Sequence, residues 1–146
     1  MAWNKNIDQE ITPPEGVEVR KEGNFLVFKG PKGENKRELF NPTVILEVKD
    51  NKVFLKPKNG GGKRENKVIK TFKSHIKNLM KGVSEGHHYS LKVCSGHFPM
   101  NVSESNGKIT VKNFLGEKAP RRTDIHGETT VEVDDEVLHL RGPSIE

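Results

Sequence analysis

Apolar and polar positions alternate in short runs along most of this chain, and the period changes once, near residue 65. Val17-Glu18-Val19 alternates, Glu22-Gly23-Asn24 turns, and residues 25–29 alternate again with Phe25 and Val27 on one face. This is the period-two signature of half-buried strands. Further short strands are predicted at 37–40, 44–48 and 53–55, with Asp50-Asn51-Lys52 as the hairpin turn between the last two. Gly30-Pro31-Lys32-Gly33 reads as a loop, since proline cannot donate to a sheet ladder. Residues 1–12 read as an arm or edge strand. Then Val68, Ile69, Phe72, Ile76, Leu79, Met80 and Val83 fall within an arc of roughly 120° when each residue advances ~100°. Lys67, Lys70, Lys73, Lys77 and Lys81 occupy the opposite face. The spacing predicts a helix over 65–81, ended by Gly82 and covering the preceding sheet.

Residues 83–88 read as a hinge, after which strands return. Residues 89–94 open a second series, with further strands near 109–112, 129–133 and 136–141. That series echoes the first. Gly23-Asn24-Phe25-Leu26-Val27-Phe28 is matched by Gly107-Lys108-Ile109-Thr110-Val111-Lys112, and Leu46-Glu47-Val48-Lys49-Asp50 by Val131-Glu132-Val133-Asp134-Asp135. Gly33-Glu34 recurs as Gly116-Glu117, and Pro14 and Val17 as Pro99 and Val102, at an offset of 83 to 85 residues. An echo in constant order signifies duplication. The expected fold class is therefore α+β, a tandem duplication of a small antiparallel sheet domain backed by one helix, with the second helix missing. The expected domains are 1–82 and 83–146, the second being incomplete.

Composition sharpens this picture. Apolar residues make up 32% and charged residues 31% of the 146, so two small cores are lean and gain from a large partner. The net charge of +5, from 25 Lys and Arg against 20 Asp and Glu, suits an anionic partner such as nucleic acid. The single cysteine, Cys94, excludes an internal disulfide and fits a reducing compartment. It reads as a buried thiol inside a strand. No stretch approaches the ~20 apolar residues of a membrane span, and the N-terminus carries no signal-peptide pattern.

Enzyme chemistry finds no support. His87 and His88 are adjacent, which points them to opposite faces of a strand, so they make a poor pair of ligands for one metal. There is no HExxH or CxxC pattern. Asp134-Asp135-Glu136 reads as a hairpin turn. No catalytic residue, metal, cofactor or small-molecule substrate is expected.

Several segments carry a family resemblance. Pro14-Glu15-Gly16-Val17-Glu18-Val19, then Glu22-Gly23-Asn24 and Lys29-Gly30-Pro31-Lys32-Gly33-Glu34, resemble the sixth protein of the large ribosomal subunit, called large-subunit protein nine in eukaryotes. Asn41-Pro42, His75-Ile76-Lys77-Asn78 and Gly82-Val83-Ser84-Glu85-Gly86 continue the likeness. His97-Phe98-Pro99-Met100, Asn113-Phe114-Leu115-Gly116-Glu117-Lys118 and Pro120-Arg121 are similar to the archaeal and eukaryotic branch. The resemblance implies a cytoplasmic ribosomal protein that binds large-subunit rRNA near the sarcin–ricin region and stalk base. It implies neighbouring large-subunit ribosomal proteins as partners, translational GTPases docking nearby, and a second domain that makes most of the rRNA contact. Family chains continue for a few dozen residues past the position of Glu146, supplying the second domain's helix and a basic tail. The expectation here is that rRNA or a neighbouring protein covers the second sheet, or that part of the chain lies beyond this sequence.

The candidate RNA-binding residues centre on segment 113–122. Lys112, Lys118, Arg121 and Arg122 supply charge, Gly116 permits close backbone approach, and Asn113 opens the loop. Ser95 and His97 offer a hydroxyl and an imidazole to a 2′-OH or phosphate. Phe98 either packs inward or stacks on a base. Lys63 and Arg64, beside Gly60-Gly61-Gly62, are secondary candidates. The lysine face of the helix fits either RNA contact or an ordinary solvated surface. The rival to an rRNA protein is a duplicated protein-binding module outside the ribosome.

Overall fold

The structure, a computed structural model, describes residues 8–145. Of the segment 1–12, expected as an arm or edge strand, residues 1–7 lie outside the described residues, and 9–11 form a strand at a sheet edge. The described chain divides into two compact units, residues 8–86 with 143–145, and residues 87–142.

Unit 1 begins with β1 (Gln9–Ile11), β2 (Glu18–Glu22), β3 (Phe25–Gly30), β4 (Gly33–Glu38), β5 (Val44–Lys49) and β6 (Lys52–Pro57), followed by α1 (Lys63–Ser84). The strands form two antiparallel three-stranded sheets, ordered β1-β6-β5 and β2-β3-β4. Helix α1 packs on strands of both. It buries Ile69, Phe72, Ile76, Leu79, Met80 and Val83 against Val17, Val19, Leu26, Phe28, Val53 and Leu55. Burying one large aliphatic or aromatic side chain fully is worth roughly 1.5–3 kcal/mol, so this face dominates the unit's stability.

Three details of unit 1 differ from the sequence reading. The first is register. Phe25 and Val27 do share a face, with Val27 buried and Phe25 42% exposed, but the face turned to the core is the other one, carrying Leu26 and Phe28, both 0% exposed. A one-residue shift along a strand exchanges its two faces. The second concerns Gly33, which opens β4 and pairs with Gly30 across a two-residue turn, so the strand expected at 37–40 begins four residues earlier and ends at Glu38. The third is the length of α1, which starts two residues before the expected 65 and runs three past 81. Gly82 stays helical and buried because the apolar period continues to Val83, which is fully buried. The stop falls at Gly86, whose φ is +81° and whose N–H, like that of Glu85, donates to the Lys81 carbonyl. At the other end the Glu65 carboxylate accepts from the Gly62 N–H at 2.9 Å, where the helix dipole favours negative charge.

Two close contacts lock the unit. The Lys32 N–H donates to the Val83 carbonyl at 2.9 Å. Gly30 lies so near that a Cβ there would meet the Val83 oxygen at 2.5 Å. Asn51, at φ +60° in the expected β5–β6 turn, accepts from the Val19 N–H and donates to the Val17 carbonyl, tying one sheet to the other.

Unit 2 repeats the plan. It contains β7 (His87–Lys92), β8 (Asn101–Ser105), β9 (Lys108–Lys112), β10 (Arg121–Asp124), β11 (Thr130–Asp134) and β12 (Val137–Gly142). Its sheets are ordered β7-β12-β11 and β8-β9-β10, matching β1-β6-β5 and β2-β3-β4 strand for strand. The fold is thus α+β with duplicated antiparallel sheets, and α1 is the only α-helix among the described residues. The first hairpins superpose in order at an offset of 83 rather than the 84 of the sequence echo, which aligns Ile109 and Val111 with the core residues Leu26 and Phe28.

Cys94 departs from expectation. Strand β7 ends at Lys92, the Val93 N–H makes one last bond to the Glu136 carbonyl, and Cys94 is exposed in the following bend. No element of the unit covers that edge among the described residues.

Candidate nucleic-acid interface

The two copies differ most in one connection. Between β3 and β4 the chain spends two residues, 31–32; between β9 and β10 it spends eight, 113–120. The longer connection holds a single 3-10 turn, Phe114–Gly116, and three of the residues expected to touch RNA, Asn113, Gly116 and Lys118, with Lys112, Arg121 and Arg122 on the strands that flank it. A connection this long would cost entropy to order, yet it is cross-braced by its own side chains.

Four contacts supply the bracing. Arg121, at the start of β10, grips the Glu117 carboxylate through two hydrogen bonds, Nε at 2.8 Å and a terminal nitrogen at 2.7 Å. The same guanidinium lies 4.5 Å from the centroid of the Phe114 ring, a cation–π distance. The Asn113 side chain donates to the Pro99 carbonyl at 3.0 Å, joining the connection to the bend after β7. The ring of Phe98, from that bend, rests on Gly116, where an added Cβ would meet Phe98 Cε1 at 3.1 Å. The hydrogen bond to Arg121 holds the Glu117 carboxyl below its ordinary value of 4.5, and the pairing raises Arg121 in turn.

This bracing holds the backbone in an uncommon shape. Asn113, Leu115 and Gly116 all have positive φ, of 59°, 51° and 78°. Asparagine and glycine tolerate this, but for leucine the left-handed region costs roughly 1–2 kcal/mol. Leu115 is also 72% exposed, the most exposed large apolar side chain among the described residues. Phe98 is 51% exposed, so it belongs neither to a core nor to open solvent alone.

The remaining candidates distribute as follows. Lys112 closes β9, and Lys118 sits in the connection; both are exposed. Arg121 and Arg122 lie on β10 rather than in the loop, paired with Val111 and Thr110. Arg122 is exposed. Ser95 and His97 are exposed in the bend that carries Phe98 and Pro99. The bend and the braced connection therefore form one local assembly. Lys63 and Arg64 belong to unit 1, at the first turn of α1. On the lysine face of α1, Lys67, Lys70, Lys77 and Lys81 are exposed, whereas Lys73 donates to the Gln9 side chain at 2.6 Å.

Phe114, Leu115 and Glu117 were not singled out by sequence. Their signal was present in Asn113-Phe114-Leu115-Gly116-Glu117-Lys118, where an apolar pair sits inside a polar, glycine-bearing loop. Strand pairing also makes a contact that adjacency in the sequence hides. His88 Nε2 lies 3.2 Å from His139 Nδ1, and Ser90 Oγ lies 3.1 Å from the same nitrogen. No group of three metal-ligating side chains occurs among the described residues. No helix is long and apolar enough to cross a membrane among them.

Comparison with known proteins gives a consistent result. Residues 13–86 match the family model described as Ribosomal protein L6. The chain is 42% identical to large ribosomal subunit protein uL6 of Natronomonas pharaonis, over 94% of this chain and 77% of that protein. It is 43% identical to uL6 of Halobacterium salinarum, over 94% of this chain and 76% of the relative. With uL6 of Nanoarchaeum equitans the identity is 47%, over 78% of this chain and 59% of the relative.

Proposed function

Because the chain belongs to the ribosomal protein L6 family, in its archaeal form, we propose that unit 2 is its main rRNA-binding half and that the β9–β10 connection is the centre of the contact. The protein is a structural, non-catalytic constituent of the large ribosomal subunit in the cytoplasm, with rRNA and neighbouring ribosomal proteins as partners. Within that role we place it near the sarcin–ricin region and stalk base, where translational GTPases dock.

One observation carries the assignment of the surface. Duplication made the two copies alike, yet the β9–β10 connection has eight residues where β3–β4 has two, and it carries a braced 3-10 turn that the first copy's two-residue turn has no room for. Lys112, Lys118 and Arg122 supply phosphate contacts, with Ser95, His97 and Asn113 as shorter-range donors. Gly116 brings the backbone close. Arg121 is engaged by Glu117 and Phe114 and so holds the shape of the surface. Lys63 and Arg64 are peripheral contacts from unit 1.

Lys118→Glu with Arg122→Glu tests this. The pair is expected to weaken incorporation into large subunits and to flatten the slope of log K against log salt, since each phosphate contact adds roughly 0.7–0.9 to that slope. Charge reversal of Lys67, Lys70 and Lys77 on α1 is expected to do much less. A larger loss from the α1 set would move the interface to α1. Retention of the protein on subunits at high salt, with neither set mattering, would favour the protein-binding alternative.

A further inference from the structure

Phosphate contact explains Lys112, Lys118 and Arg122, but not why the braced connection and the bend beside it hold Leu115 and Phe98 out in solvent. An exposed Leu115 in the left-handed region is unfavourable twice over: the backbone is strained and the side chain is hydrated. Four separate contacts maintain this arrangement, through Arg121, Glu117, Asn113 and Phe98. Strain kept in place by dedicated bracing marks a surface whose shape is used.

The two apolar groups are neighbours. Leu115 precedes Gly116 in the chain, and the Phe98 ring lies on Gly116 itself. Lys112, Lys118 and Arg122, in and beside the same connection, are exposed, while the connection's one carboxylate, Glu117, is taken by Arg121. A protein partner would need an apolar pocket ringed by carboxylates to bury Leu115 and Phe98 and pair those cations as well. An unpaired nucleotide suits both halves of the surface, because its base offers an apolar face and its flanking phosphates offer charge.

We propose that Leu115 and Phe98 form a seat for one unpaired base of the bound RNA, with Lys112, Lys118 and Arg122 taking the phosphates on either side. The proposal rests on the rRNA reading above and adds to it a specific apolar contact. It also assigns the Arg121–Glu117–Phe114 contacts to positioning, since they keep Leu115 presented before RNA arrives.

The test measures binding of the full chain to deproteinised large-subunit rRNA across a series of salt concentrations. The key variant is Leu115→Asn, because asparagine accepts the left-handed backbone but offers no apolar surface. Phe98→Leu is the second variant, keeping bulk at Gly116 without a ring. Each is expected to weaken binding roughly tenfold at every salt concentration, with the salt slope unchanged. The double variant should lose less than the product of the two, because both side chains meet the same base. Leu115→Asn should leave the thermal midpoint of the free protein unchanged or raise it. If both variants bind within about twofold of the parent while Lys118→Glu with Arg122→Glu flattens the slope, the base seat is wrong and the rRNA interface stands. If none of these substitutions affects binding, the interface itself is wrong and the seat falls with it. A lowered midpoint in Leu115→Asn would assign the residue to folding and overturn the proposal.

Discussion

Units 1 and 2 share a strand order, a sheet pairing and even the same apolar rows, yet only one of them has a core. In unit 1 the rows Leu46–Leu55–Gln9 and Val48–Val53–Ile11 run across the sheet, and Val53 and Leu55 are completely buried. In unit 2 the matching rows are Val131–Leu140–Tyr89 and Val133–Leu138–Leu91. Of these, Leu138 alone is buried, while Tyr89 is 44% and Leu91 55% exposed. The strands are equivalent; the difference is α1, which covers the first set and has no counterpart over the second among the described residues. Strand topology alone therefore does not make a stable layer. A sheet needs something packed on its apolar face.

The largest expected effect contrasts the two sets of rows directly. Ile76→Ala, at a fully buried position on α1, should cost about 2–5 kcal/mol in denaturant unfolding. Leu91→Ala, on the uncovered rows, should cost under about 1 kcal/mol, because half its surface is already hydrated. Equal costs would mean that unit 2 has a core comparable with that of unit 1. Next comes Gly30→Ala, whose Cβ would collide with the Val83 carbonyl and should cost about 1–3 kcal/mol by the same measurement. Asn51→Ala should follow at about 1–3 kcal/mol, since it leaves the Val19 N–H and Val17 carbonyl unpaired. Its counterpart in the duplicate, Glu136, lies in an exposed turn, and Glu136→Ala should change stability by less than about 0.5 kcal/mol.

The smallest effect is a local one in pH. The native Glu117 carboxyl is held below 4.5 by its hydrogen bond to Arg121. The pairing is therefore fully present above 4.5 and is lost as pH falls through the lowered native value. Carboxyl resonances should show Glu117 titrating below 4.5, and Arg121→Gln should return it toward 4.5. A Glu117 titration at the ordinary value in the parent protein would show that the brace is not formed in solution.

Much of this was legible in the sequence, for a physical reason. Amphipathic periodicity is imposed by burial, so α1 and most strands of both copies could be placed from it. The echo between copies gave the duplication, and the glycine and asparagine turns gave the hairpins. Errors arose where local pattern was ambiguous. Residues 25–28 are all apolar, so alternation could not choose between the Phe25 and Leu26 faces, and the echo inherited the same one-residue slip. Gly82 resembled a stop signal because its neighbours' burial against β3 is a tertiary fact. Cys94 resembled a core residue because residues 89–94 alternate like a strand, but β7 ends at Lys92 and leaves Cys94 in the bend. In the candidate interface, the charges of Lys112, Lys118 and Arg122 could be read directly. The left-handed Leu115 could not, because it depends on Arg121, Phe98 and Asn113 acting together from three separate segments.

Amide hydrogen exchange of the full chain, free and bound to large-subunit rRNA, tests the account most directly. The prediction for the free protein is strong protection in β3, β6 and α1 and much weaker protection in β7 to β12, with the second group gaining protection when rRNA is bound. Equal protection of both units in the free protein, unchanged by rRNA, would contradict it.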